Sequence, residues 1–477
     1  MDFVPNRIAG IDRPAADGAT LDKIAPADGR PQSRLARSTE ADVGLAVEAA
    51  RAAQPAWAAT PAPSRGRVLL EVARALEGRA DEMARIVAAE TGKSVKDALG
   101  ETGGAVRQGE FFAGEGMRLY GRTLQSGVPG KETRTIRHPL GVAGLIVAAN
   151  TPIANIAWKV FPALVCGNAA VLKAPEDTPA TAHAFIRVAE EAGLPPGVLN
   201  VVQGLGAEAG AALVEHPGID VLSFTGSTAV GRRIAESAGR QLVRVSLELG
   251  GKNPLVVCDD ADLDRAARWT ALSVFSNAGQ RCAQASRIIV MEAVYDAFRA
   301  RLLERVAKLS VGGGDADDLG PVINERQMRS ILAAIEAAVA GGARPLTGGG
   351  RLDRPGWHIA PTLLEDVPGD DPIHRRELFG PVATLYRAAS FDRAIALAND
   401  TDYGLTAAVH TRDLDRALLF GRRVRAGAIN VNGGTYGSEP HFPFGGFGAS
   451  GNGTREPGTE ALDVYSELKC LSFLVDE

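Results

Sequence analysis

The sequence predicts an α/β protein built on a doubly wound parallel sheet, and two observations carry that reading. From Gly141 onward, short apolar runs alternate with amphipathic stretches of helical spacing, as in βαβ units with buried strands. Glycine is abundant, at 55 residues, and aromatics make up only 5% of the chain, which suits many tight turns between short elements. At 477 residues the chain exceeds one ordinary domain, so two or three are expected.

Residues 41–57 and 66–91 place Val43, Leu45, Ala46 and Ala49, then Val68, Leu69, Val72 and Leu76, at helical intervals in an alanine-rich context. Residues 141–149 read as a strand, 153–165 as a helix, 169–172 as a strand and 180–191 as a helix. The series continues with a strand at 198–202, a helix at 207–216, a strand at 220–224 and a helix at 228–238. Such a succession predicts right-handed crossovers and a sheet of the dinucleotide-binding kind. A second α/β unit follows: strand 254–258, helix 263–276, strand 288–291, and helices 293–309, 325–340 and 391–399. It closes with strand 406–410, helix 414–424 and strand 428–431. Residues 124–137 are polar with alternation at Thr133, Thr135 and Arg137, and they read as an extended arm, as does the segment 461–475.

The net charge is −5 and no basic tract occurs, so a nucleic-acid partner is not expected. No segment reaches the length of a membrane span, and the start has no basic patch before an apolar run. The four cysteines, Cys166, Cys258, Cys282 and Cys470, form no CxxC pair and are too sparse for a disulfide framework. A reducing, cytoplasmic location is the expectation. The histidines are scattered without HExxH or ligand spacing, so no metal site is expected. Gly130-Lys131 lacks the rest of a P-loop, and no GxSxG elbow exists.

The chemistry concentrates in a few segments. Cys282 ends Asn277-Ala278-Gly279-Gln280-Arg281-Cys282 and offers a thiol nucleophile whose pKa the flanking Arg281 can lower. Glu248 lies between Leu247 and Leu249 ahead of Gly250-Gly251-Lys252-Asn253; an acid at an apolar strand end is a candidate for a raised pKa and for base catalysis. Asn150 ends the run Leu145–Ala149, where it either caps the following helix or aims an amide at a developing oxyanion. Phe224-Thr225-Gly226-Ser227-Thr228 ends a strand and opens a helix, a ready anion site. Gly204, Gly206 and Gly210 have GxGxxxG spacing and match the dinucleotide fingerprint poorly. Lys173 and Glu176, at a strand end, either grip ribose hydroxyls or form a surface ion pair. Arg281 either meets a substrate carboxylate or faces away, since neighbouring side chains diverge. Glu377-Leu378-Phe379-Gly380-Pro381 carries no reading by itself.

Together these segments, in this order over nearly the whole chain and with Pro443-Phe444-Gly445-Gly446 after them, resemble the aldehyde dehydrogenase superfamily. The resemblance implies a coenzyme domain over residues 1–118 and 139–248, a catalytic domain over 249–447, and a small β arm for subunit pairing over 119–138 and 455–477. It implies that Cys282 attacks an aldehyde to give a thiohemiacetal, with Asn150 and the Cys282 N–H holding the oxyanion. Hydride would pass to the nicotinamide, and Glu248 would activate the water that releases the acid from the thioester. Lys173 and Glu176 would bind the adenosine ribose, Gly226 and Ser227 the pyrophosphate, and Glu377 the nicotinamide ribose with Phe379 beside it. Phe444 and Arg281 would border the substrate channel, and homodimers or homotetramers would be expected. The chain departs from the usual Pro-Trp-Asn-Phe-Pro at Ala148-Ala149-Asn150-Thr151-Pro152, and from Lys-Pro-Ala-Glu at Lys173-Ala174-Pro175-Glu176. Residues 112–118 resemble a stretch in α-ketoglutarate semialdehyde dehydrogenases. Glu176 favours NAD over NADP, because a carboxylate at the 2′-hydroxyl accepts its hydrogen bond and repels a 2′-phosphate. Two other readings are a CoA-acylating enzyme, against which Glu248 argues, and a non-catalytic protein on the same fold.

Overall fold

The computed structural model describes residues 2–475. Two seven-stranded sheets organise it. In the first, Arg244–Glu248, Val221–Thr225, Val142–Ile146, Ala169–Lys173 and Leu199–Val202 run parallel, and the antiparallel strands Asn6–Ile8 and Ile11–Arg13 close one edge. In the second, Thr362–Glu365, Val382–Ala388, Ala285–Met291, Asn253–Val257, Thr406–His410 and Ala428–Val431 are parallel, with Arg344–Thr347 antiparallel at the edge. The central strands of both are buried along their whole length, which is why they read as apolar runs without alternation. Register aligns their carboxyl ends: Thr225 pairs with Glu248, and Ile146 with Lys173. A parallel sheet presents its ligands along such an edge.

Helix Pro152–Val165 is buried on nearly every side and fills the core between the first sheet and helices Ala62–Gly78 and Val95–Glu115. Close approach there depends on Gly109, where a Cβ would lie 2.6 Å from the Phe161 ring and 2.8 Å from Ala73. Glycines at 100, 103, 104, 109 and 114 also hide helix Val95–Glu115 from a propensity reading, and the sequence did not predict it. The stretch 66–91 is two helices, Ala62–Gly78 and Ala80–Thr91, broken at Arg79. The helix expected at 207–216 opens with a π-turn, Gly206–Gly210, before Ala211–Glu215. Five N-terminal strands between Asp2 and Ala36 were also unforeseen; they are short, polar and largely at the surface.

A third sheet stands apart from both cores: Thr123–Leu124, Lys131–Pro139 and Ser466–Leu474, all antiparallel. It leaves Leu124, Leu468, Phe473 and Leu474 exposed. Its last strand begins at Ser466, whereas the arm was expected from 455. Ala461, Leu462, Val464 and Tyr465 instead pack into the first core. Residues 476 and 477 of the expected arm, and residue 1 of the expected coenzyme domain, lie outside the described residues. Among the described residues no helix is long and apolar enough to cross a membrane, and no group of three or more His, Cys, Asp or Glu converges as a metal site.

Candidate active site

Cys282 sits just beyond a tight turn in which Asn277, Ala278 and Gly279 all have left-handed φ, at 56°, 54° and 69°. Two non-glycine residues there cost roughly 1–3 kcal/mol each, so the turn must be held from outside. Asn277 Nδ2 donates to the carbonyls of Gln280 and Asn150, both at 3.1 Å. Gln284 Nε2 donates to the Gly380 carbonyl at 2.6 Å. Gly279 has no alternative, because a Cβ would lie 2.1 Å from that same carbonyl oxygen.

The glutamate segment is stitched to this turn. Asn253 Nδ2 donates to the carbonyls of Cys282 at 2.7 Å and Gln284 at 2.8 Å. Gly251 is required because a Cβ would stand 2.5 Å from the Cys282 carbonyl oxygen. Gly250 leaves room for Glu377, whose Oε2 would lie 2.0 Å from a Cβ there. The Gly251 N–H donates to Glu377 Oε1 at 3.0 Å, and buried Lys252 Nζ donates to the Arg376 carbonyl at 2.9 Å.

Asn150 does not cap the helix that follows; Thr151 occupies that position. The Asn150 amide instead crosses between the sheets, with Nδ2 donating to the Gln280 carbonyl at 2.9 Å and Oδ1 accepting from Asn155 Nδ2 at 3.2 Å. Its backbone carbonyl accepts from Lys93 Nζ at 2.8 Å, and Lys93 pairs with Glu101 at 2.6 Å. Asn150 is thus bonded to the carbonyl two residues ahead of Cys282, with one amide hydrogen not engaged by a protein acceptor.

Burial first of all pushes the Cys282 thiol up to about 12, and the carboxylates of Glu377 and then Glu248 add to it. The Ala283 N–H and, last, Arg281 oppose them. The expected lowering by Arg281 is real in sign but is outweighed. Glu248 is 5% exposed, and neither carboxylate oxygen has a hydrogen-bond partner. Burial drives its carboxyl well above the usual range, Glu456 adds to that, and Lys159 and Arg455 pull the other way. Behind it Lys159 Nζ pairs with Glu456 at 2.8 Å and donates to Ser223 Oγ at 2.6 Å.

The cofactor candidates line the carboxyl edge of the first sheet. Lys173 Nζ meets Glu176 Oε2 at 2.9 Å. Burial pushes Glu176 up, but Lys173 more than offsets it and holds the carboxyl below its ordinary value. Ser227 is exposed at the N-terminus of helix Thr228–Gln241, its Oγ accepting from the Val230 N–H at 3.4 Å. At Gly226 a Cβ would strike the Phe224 ring at 2.4 Å. Glu377, on the second sheet's side, is raised to about 7 by burial, against the Gly251 N–H and Lys252. Phe379 follows with a left-handed φ of 55°. An acid–lysine pair for a ribose, a helix N-terminus for a pyrophosphate and a second acid beside the thiol fit a nicotinamide dinucleotide.

Phe444 packs edge-on against Trp158, with ring centroids 5.4 Å apart. The Arg281 guanidinium lies over the Tyr436 ring at 4.9 Å. Sequence reasoning missed Lys93, Glu101, Trp158, Lys159, Tyr436 and Glu456, because each reaches the site only through the fold. Asn253 and Asn277 stood inside the quoted motifs and were the legible exceptions.

The aldehyde dehydrogenase family model matches residues 13–471. An α-ketoglutarate semialdehyde dehydrogenase of Haloferax volcanii is 42% identical, over 90% of this chain and 90% of that protein. Among solved structures, an E. coli NADP-dependent enzyme superposes with a TM-score of 0.97 at 37% identity, covering 99% of this chain and 98% of that one. Betaine aldehyde dehydrogenase from Staphylococcus aureus in complex with NAD+ gives 0.96 at 32% identity, covering 99% of this chain and 95% of that one.

Proposed function

The chain belongs to the aldehyde dehydrogenase family and is an NAD(P)-dependent enzyme that oxidises aldehydes; from that premise we propose that Cys282, Glu248 and Asn150 carry out the chemistry. The Cys282 thiol gives up its proton to solvent, and the thiolate Sγ so formed attacks the aldehyde carbon to form a thiohemiacetal. The free Asn150 amide hydrogen and the Cys282 N–H hold the oxyanion, a donor pair that is set before the reaction begins. When bound, the nicotinamide supplies the acceptor for hydride. Oxidation leaves a thioester on Cys282, and Glu248 takes a proton from the water that attacks it. A carboxyl raised by burial is a better base near neutral pH than an ordinary one. The single observation that supports these roles best is Glu248 itself, a buried acid without a hydrogen-bond partner, electrically coupled to the thiol, whose flanking carbonyls are held by Asn253 and Asn150.

Lys173 and Glu176 hold the adenosine ribose, Gly226 and Ser227 the pyrophosphate, and Glu377 with Phe379 the nicotinamide ribose. NAD is preferred, with NADP the alternative. Phe444 and Arg281 border the aldehyde channel. In the same reading the first sheet is the coenzyme domain, the second the catalytic domain, and the three-stranded arm joins subunits into a homodimer or homotetramer. The exposed apolar side chains of the arm support that assembly. A cytoplasmic setting completes it, in keeping with four unpaired cysteines.

The test is formation of reduced nucleotide across a panel of aliphatic, aromatic and carboxylate-bearing aldehydes, for wild type and Cys282→Ser. The variant should lose about 10⁴-fold or more in turnover. Equal rates would remove Cys282 from the mechanism.

A further inference from the structure

Asn150 stands where neither sheet nor helix can hold it. Strand Val142–Ile146 ends four residues before it, and helix Pro152–Val165 begins two residues after it. Its backbone carbonyl lies outside both ladders, yet the oxyanion role asks its side chain for a fixed direction. Two donors from elsewhere in the chain supply the hold. Lys93 Nζ donates to that carbonyl at 2.8 Å, and Asn277 Nδ2 at 3.1 Å. Lys93 is itself clamped: Glu101 Oε2 takes its Nζ at 2.6 Å, and both side chains are only 6% exposed. Glu101 Oε1 accepts from the Ile153 N–H at 3.1 Å, which caps the helix that the Thr151 hydroxyl leaves uncapped.

The same contacts lead back to Asn150 from the cysteine side. Lys93 follows Gly92, whose left-handed φ of 75° and missing side chain let Pro321 come close; a Cβ there would lie 2.4 Å from Pro321 Cγ. The Pro321 carbonyl accepts from Gln280 Nε2 at 3.3 Å, and Gln280 Oε1 accepts from the Ile323 N–H at 2.8 Å. The Gln280 carbonyl is the one that receives the Asn150 amide. Backbone and side chain of Asn150 are thus tied into one closed circuit, and Lys93 is its charged member. A charged donor makes a shorter and stronger bond to a carbonyl than a neutral amide does. We propose that Lys93 and Glu101 are positioning residues for the oxidation step: Lys93 fixes the Asn150 peptide, Glu101 fixes Lys93, and the pair thereby aims the unengaged Asn150 amide hydrogen at the oxyanion. Neither residue touches substrate or cofactor in this scheme. The inference rests on the catalytic reading of Asn150 above and extends it to two side chains that act only through it.

The pre-steady-state burst of reduced nucleotide reads the steps that Asn150 assists, ahead of thioester hydrolysis. Asn150→Ala should slow that burst by about 10²–10³-fold, the worth of one oxyanion donor. Lys93→Met should slow it by about 10- to 100-fold, the cost of misplacing a reacting group by about 1 Å, with KM for the nucleotide unchanged. In the Asn150→Ala background, Lys93→Met should have no further effect, because its only route to the chemistry is gone. Lys93→Arg should restore part of the rate, since it keeps a cationic donor. Lys93→Met also strands the Glu101 carboxylate, so a charge-free pair, Lys93→Met with Glu101→Gln, separates folding from positioning. The amide oxygen brought in at position 101 can still accept from Ile153. The Tm of that pair should return towards the wild type's while its burst stays slow, and it carries the whole comparison where Lys93→Met alone does not fold. A burst at the wild-type rate in Lys93→Met, a rate restored together with Tm in the charge-free pair, or losses that multiply in the Asn150→Ala background would each overturn the proposal. A burst at full speed in Asn150→Ala would strike the catalytic reading beneath it, and this inference with it.

Discussion

Glu456 and Glu248 are both buried, at 0% and 5% exposure, and they act on one another electrically. The protein treats them in opposite ways. Glu456 accepts from Lys159 Nζ at 2.8 Å, Ser223 Oγ at 2.8 Å and Tyr465 OH at 3.1 Å. Glu248 accepts from nothing in the protein. The first carboxylate is a structural anion with its charge fully answered, and it joins the chain's last helical turn to the first sheet. The second is kept close to a cation without touching it, which leaves it able to exchange a proton. The difference teaches that burial alone does not mark a catalytic acid; burial without partners does.

The contrast breaks most sharply at Glu248. Glu248→Gln should lower steady-state turnover by about 10²–10⁴-fold, the worth of a general base, while a pre-steady-state burst of reduced nucleotide survives. Unchanged turnover would place the base elsewhere. The same substitution should not weaken the fold. The carboxyl is raised in the folded state, so its favourable contribution is complete below its unfolded value of about 4.5 and is lost as pH rises through the folded one. The glutamine variant should therefore melt higher than wild type in mild alkali, with the gap closing below about pH 4. Glu456→Gln should do the reverse, destabilising by about 3–5 kcal/mol by stranding Lys159. A urea midpoint equal to the wild type's would show that the pair is not integral. Lys159→Met sharpens the coupling between the two acids. With Lys159 gone, only Arg455 still opposes Glu456, so the acid limb of the kcat profile should move up by about 1–3 pH units. A profile that stays in place would separate the two acids. The smallest effect lies farthest from the pair: Glu176→Gln should narrow the preference for NAD over NADP by about tenfold, read as a ratio of kcat/KM values.

The same two residues show what a sequence can disclose. Glu248 was legible because it stands between leucines ahead of a glycine pair, an odd setting for an acid. Lys159 and Glu456 were not. Lys159 is one polar position in an apolar helix, Glu456 sits in an unremarkable loop, and nearly 300 residues separate them along the chain. The parallel strands were readable because both of their faces are buried and they carry no polar alternation. The N-terminal strands were not, being short and exposed. The helix Val95–Glu115 was concealed by glycines whose purpose is to let Phe161 and Ala73 come near. The glycines at 250 and 251 could be counted in the sequence, but the carboxylate and the carbonyl they make room for could not. Arg455 gave no signal at all, since its pull on Glu248 exists only in the folded chain.

The bond from the Asn150 amide to the Gln280 carbonyl carries a consequence for how this molecule can be taken apart. One half of the reaction centre is fastened to the other across the cleft, and the left-handed turn ahead of the thiol is held partly by the Asn150 carbonyl. Neither half would keep its geometry if expressed alone. Exchanging halves with a distant cousin would demand that both sides of these two bonds be inherited as one parcel.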